Sequence, residues 1–129
     1  MPAMNSTDYA IDVQARARYL DDQSDPMAER YVFGYTVQIR NVGNLAAKLI
    51  SRHWVITDGD GQVEEVRGDG VVGEQPLLRP GEMFQYDSGA VIPTEVGSMQ
   101  GRYFMQAEDG TQFEALIPVF TLGVPGAVN

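Results

Sequence analysis

The 129-residue chain contains no cysteine and a single histidine. Without cysteine there are no disulfides, thiolate metal sites, iron–sulfur centres or cysteine nucleophile. One histidine excludes a multi-histidine metal site within the chain and leaves His53 as the sole base for a Ser–His–Asp arrangement. Positive charge is also scarce. Nine basic residues stand against 18 acidic ones, for a net charge of −9 and a pI of about 4.3, and Lys48 is the only lysine. Such a balance argues against binding to nucleic acid or to an anionic membrane, both of which draw on a basic surface. No apolar run approaches the roughly 20 residues of a membrane helix. The opening MPAMNSTDYA has neither the basic start nor the apolar core of a signal peptide. A cytoplasmic protein without membrane insertion is therefore expected.

What is present suffices for a core. The residues are 43% hydrophobic and 21% charged, and the length suits one domain. Turn-forming pairs recur at Asp58-Gly59, Asp60-Gly61, Pro80-Gly81 and Asp109-Gly110. Between them lie short runs rich in Val, Ile, Tyr, Phe and Thr. Ile11, Val13, Ala15 and Ala17 alternate with Asp12, Gln14 and Arg16, the period of a half-buried strand. Tyr31, Phe33, Tyr35, Val37 and Ile39 share one face of a second strand. The run 47–57 alternates imperfectly, which a bulge or burial on both faces explains. Further strands are expected over 63–67, 83–88, 99–107 and 113–117, the last broken by Pro118. No segment carries helical periodicity over three turns; 24–30 holds one helical turn at most, with Pro26 at its start. About seven strands or more with regular turns predict an all-β, antiparallel β-sandwich, with a closed barrel as competitor. The domain is placed at 9–122, with flexible ends at 1–8 and 123–129. Trp54, the only tryptophan, is expected between the sheets.

Three constellations bear on chemistry. Gly68, Gly70 and Gly73 make a G-x-G-x-x-G spacing. In dinucleotide-binding folds this spacing lets backbone N–H groups approach a pyrophosphate at a helix N-terminus. Here Glu74, Gln75 and Pro76 follow instead of a helix, and Asp69 and Glu74 would repel phosphate. The alternatives are a structural glycine loop, with Val71 or Val72 tucked against the sandwich, and an anion-binding backbone nest. In Ser51-Arg52-His53-Trp54, Ser51 and His53 share a strand face about 7 Å apart, and no nucleophile elbow is present. Arg52 and Arg67 are the cations that could serve a ligand beside the glycines. The acidic groups Asp21, Asp22 and Asp25, Asp58 and Asp60, Glu64 and Glu65, and Asp69 and Glu74 read as solvated faces, since the calcium-loop pattern is not satisfied at Asp58. No catalytic residue, metal set or cofactor is assigned.

Together, SRHWVITDGDGQVEEVRGDGVVGEQPLLRPGEMFQYDSG (51–89), MQGRYFM (99–105) and IPVFTL (117–122) resemble the ApaG family, also called CorD, and RYLDDQSDP (18–26) and RYVFGYTVQIRN (30–41) agree with it. The resemblance spans about 9–122. It implies a fibronectin-type-III-like sandwich in a bacterial cytoplasmic protein, tied to cobalt resistance and magnesium efflux. It also implies a non-enzymatic interaction module, as related domains in some F-box proteins are regarded. The expected partner is a protein, with a weakly bound nucleotide or divalent cation as second candidates, and the chain is expected as a monomer or loose homodimer. The rival function is a diphosphate or dinucleotide binder using the Gly68–Gly73 loop with Arg52 or Arg67.

Overall fold

The computed structural model describes residues 6–127. It shows eight strands among them: β1 (Ile11–Tyr19), β2 (Tyr31–Asn41), β3 (Ala47–Asp58), β4 (Val63–Asp69), β5 (Leu77–Leu78), β6 (Met83–Ile92), β7 (Val96–Ala107) and β8 (Gln112–Gly123). All strand pairs are antiparallel. A smaller sheet runs β1-β2-β6; a larger one runs β4-β3-β7-β8, with the short β5 beside β3. Between the strands lie 3-10 turns, including Pro26–Ala28, the single helical turn expected there. Among the described residues, no helix is long and apolar enough to cross a membrane. The expected sandwich is therefore the observed one.

Alternation explains the layers. Val13, Phe33, Tyr35, Val37, Ile39, Tyr86, Ala90 and Ile92 turn inward from the smaller sheet, and Leu49, Trp54, Met99, Tyr103, Met105, Ala115, Ile117, Phe120 and Leu122 from the larger. Two bulges keep this inward set aligned. On β3, Leu49 faces Met105 and Ser51 faces Phe104, so Ile50 is an extra residue. The inward positions then pass from 47 and 49 to 52, 54 and 56, which is why the run 47–57 alternates poorly in sequence. On β8, Met99 faces Phe120 and Gly101 faces Ile117, so Pro118 and Val119 together oppose Gln100. The strand is therefore not broken at Pro118, contrary to the sequence reading. A proline is tolerated because β8 is the last strand of its sheet and the residue sits in a bulge.

Trp54 occupies the centre, 3% exposed. Its ring meets Tyr35 edge-on at 5.5 Å across the sandwich, and Phe120 and Tyr103 at 5.9 and 6.4 Å on its own sheet. The Tyr86 and Tyr103 hydroxyls join the sheets at 2.6 Å. Burial pushes both phenols far above their ordinary ionisation range, so the pair stays neutral. Within the end segments, Ser6–Asp8 forms a 3-10 turn whose Thr7 carbonyl accepts from the Asn44 N–H at 2.9 Å. At the other end, the Val124 N–H donates to the Glu95 carbonyl at 3.0 Å. Residues 1–5 and 128–129 lie outside the described residues.

Trp54→Ala removes the ring that three aromatic neighbours pack against, and is expected to cost roughly 3–5 kcal/mol in urea unfolding. Native fluorescence should be that of a buried indole; a solvent-exposed spectrum would contradict this placement.

Candidate functional site

The sandwich is closed on one side, where β1 packs on β8. On the other side β4 and β6 each end their sheet without pairing to one another. Between them runs a groove of adjoining recesses. One, about 300 Å³, is walled by Tyr35, Arg52, Trp54, Asp69, Val72 and Tyr86. The next, about 370 Å³, continues past Val66, Ser88, Ala90 and Val91 to Glu64. The groove ends near Val63, Val91 and Pro93. A larger polar hollow lies on the outer face of the smaller sheet. Several of its side chains bond to one another there: Arg18 donates to Thr36, Thr36 to Asp87, and Gln38 to Gln85. The groove is floored by aromatic rings and flanked by two unpaired strand edges, so it is the stronger candidate.

The predicted residues are only partly brought together. Arg52 lies on the inner face of β3 because of the Ile50 bulge, in register with Gly68 of β4. Its Nη1 donates to the carbonyls of Asp69 at 2.9 Å and Gly70 at 2.8 Å. Its guanidinium lies against Gly68, where a Cβ would come within 2.7 Å of Nη2. Among the described residues no carboxylate forms an ion pair with it. Arg67 points the other way. It pairs in register with His53 on the outer face and lies 3.9 Å from Glu65. Arg52 and Arg67 therefore cannot clamp one ligand.

The glycine segment is a strand end followed by a tight hairpin. Val71 and Glu74 exchange both backbone hydrogen bonds, at 2.8 and 2.9 Å, around Val72 and Gly73. Both central residues have positive φ, +43° and +81°, as a type I′ turn requires. Gly70 is also left-handed, φ +60°, and a Cβ there would strike the Glu74 carbonyl oxygen. The Gly70 N–H donates to the Ile50 carbonyl at 2.8 Å, and Gln75 Nε2 donates to the same oxygen at 2.9 Å. The amides of Gly70, Val71 and Glu74 are thus spent within the protein, and an anion would have to displace those bonds. Val71 is buried in the core, as expected for one of the two valines, while Val72 is 54% exposed at the hairpin tip.

His53 is 4% exposed although it faces outward. Its Nε2 meets Glu65 Oε1 at 2.8 Å, and its buried Nδ1 has no hydrogen-bond partner. Asp58 Oδ1 accepts from the N–H groups of Asp60 and Gln62, so that carboxylate caps its own turn. No group of three His, Asp or Glu side chains among the described residues is placed to hold a metal ion. Sequence reasoning missed Tyr86, Ser88, Val66 and Glu64 as groove residues. They come together only because β4 and β6 flank the same opening, a pairing outcome with no local signal.

The ApaG domain profile matches residues 21–107. A Protein ApaG of Thiobacillus denitrificans is 63% identical over 121 residues, covering 94% of this chain and 95% of its own. One from Pseudomonas putida is 57% identical over 126 residues, covering 98% and 100%. The crystal structure of a protein from Bordetella pertussis, described as a putative ApaA protein, superposes with a TM-score of 0.89 at 52% identity over 92% of this chain and 96% of that one.

The hairpin geometry separates two mutational effects. Gly70→Ala combines left-handed strain with a backbone collision and is expected to destabilise by more than about 1 kcal/mol. Val72→Asn places a residue that tolerates positive φ where a β-branched one is strained, and should raise the melting temperature by a few degrees. Thermal unfolding of both variants by circular dichroism checks this. An unchanged melting temperature for Gly70→Ala would contradict the turn assignment.

Proposed function

The chain belongs to the ApaG domain family, and on that premise we propose that it is a non-catalytic interaction module that serves cobalt and magnesium homeostasis by engaging a protein partner in the cytoplasm. The observation that supports this reading is the groove between β4 and β6. Its floor is sealed by the buried Trp54 and Tyr35, the accessible Val66, Val72 and Val91 line it beside an arginine with no carboxylate partner, and its walls are unpaired strand edges. Apolar surface, fixed charges and free backbone groups are the elements by which protein segments are recognised. The rival reading, a diphosphate or dinucleotide bound at Gly68, Gly70 and Gly73, meets amides already committed to protein acceptors, Asp69 and Glu74 at the rim, and Arg67 on the far face.

Titration of isotope-labelled protein with Mg²⁺, Co²⁺, ATP and diadenosine tetraphosphate, followed by NMR, tests the choice. No saturable shift is expected at residues 68–76 up to about 1 mM ligand, the scale of weak binding. Saturation by a nucleotide at micromolar concentration, or its hydrolysis by the purified protein, would overturn the reading. In cells lacking the gene, wild-type protein should restore cobalt tolerance and a folded Val66→Asp variant should not. Full restoration by Val66→Asp would move the function away from the groove.

A further inference from the structure

The two sheets are unequal in width. With β1 packed on β8 at the closed side, the surplus strand of the larger sheet is β4. Its inward positions Glu64, Val66 and Gly68, in register with Ile56, Trp54 and Arg52, have no strand opposite them and remain exposed or half-exposed. Across the gap, β6 ends the smaller sheet with one side of its backbone unpaired.

The four sheet edges differ in how they resist pairing. β4 carries Glu64, Glu65, Arg67 and Asp69 within seven residues. β8 is distorted by the bulge at Pro118. β1 carries Asp12, Arg16 and Arg18 and packs on β8. β6 is ten residues long, has Asp87 as its only charge, contains no proline, and keeps unbroken register with β2 from Met83 to Ile92. Charges, prolines and bulges are the devices that blunt an edge strand, and β6 has almost none of them.

We propose that β6 accepts one extended segment of a protein partner as a fourth strand, which covers β4 and closes the groove. This rests on the interaction-module reading and names the chemistry of the segment. β6 runs from the recess at Arg52, near Tyr86, to the recess at Glu64, near Val91. A guest strand in the favoured antiparallel direction meets Glu64 first and Arg52 last. Its inward side chains recur every second residue, about 7 Å apart, the spacing of the rows at Glu64, Val66 and Arg52. Neither Glu64 nor Arg52 has an ion-pair partner among the described residues. The complementary segment therefore reads, from its N-terminus, a cation, any residue, an aliphatic residue, any residue, a carboxylate.

The test uses two blocked peptides of equal composition, Thr-Lys-Thr-Val-Thr-Glu-Thr and its reverse Thr-Glu-Thr-Val-Thr-Lys-Thr, titrated into labelled full-length protein. The first should give saturable shifts along β6 and the inner face of β4, slow the hydrogen exchange of alternate β6 amides, and bind about tenfold more tightly than the second, a gap of about 1.4 kcal/mol. Glu64→Lys, a change at an exposed position, should remove that preference without loss of fold. Equal binding of the two peptides, no saturation at about 1 mM, or shifts confined to the outer face of the larger sheet would overturn strand addition. Binding at that outer face would leave the interaction reading standing, whereas nucleotide saturation at the hairpin would overturn that reading itself.

Discussion

One extra residue in β3, Ile50, decides which side chains the central strand turns inward. Continued from Ala47 and Leu49 without a bulge, alternation would send Ser51, His53 and Val55 into the core. With the bulge, Arg52, Trp54 and Ile56 face inward instead, and Trp54 reaches Tyr35, Tyr103 and Phe120. The Ile50 carbonyl stands at the end of the β3–β4 ladder, one step beyond the Ser51–Asp69 pair. That oxygen accepts from Gly70 and Gln75, which fastens the glycine hairpin to the sheet. Core packing and the inward arginine thus share one cause, and the bulged residue also anchors the hairpin.

The glycine spacing illustrates how one pattern serves different physics. In a dinucleotide fold such glycines clear backbone for a phosphate at a helix N-terminus. Here Gly68 makes room for the Arg52 guanidinium, Gly70 and Gly73 supply left-handed backbone, and a hairpin takes the place of the helix. Arg52 donates to the carbonyls of Asp69 and Gly70, so the cation that a ligand-binding reading would recruit also holds the loop that would bind the ligand. Val72 stands apart. A β-branched residue at φ +43° costs backbone strain, and it is exposed beside the Arg52 recess, where it enlarges the apolar rim of the groove.

The groove follows from unequal sheet widths rather than from a missing core. Trp54 and Tyr35 are already buried, so the domain has its packing without an added strand. What stays open is backbone on β6 and the inner face of β4. In a chain of net charge −9, that opening sets one inward arginine, Arg52, beside the carboxylates of Asp69 and Glu64.

Strand positions were legible from the sequence because alternation and turn chemistry are local: the alternation over 11–17 and 31–39 and the turns at Asp58–Gly61 and Asp109–Gly110 needed no tertiary information, and the strands extend two residues beyond each run. The burial of Trp54, and of one of the two valines 71 and 72, followed from size and apolarity in a small domain, and the irregular run at 47–57 left a bulge and burial on both faces as alternatives. The passage of β8 through Pro118 was not legible, since only its place at the end of a sheet makes a proline there tolerable. Nor was the separation of Arg52 from Arg67, because it is the β3–β4 register that pairs Arg52 with Gly68 and Arg67 with His53, on opposite faces. The groove itself was decided wholly by tertiary structure. Which strands end a sheet, and which edges face one another across an opening, depends on long-range pairing that leaves no periodic trace in the chain.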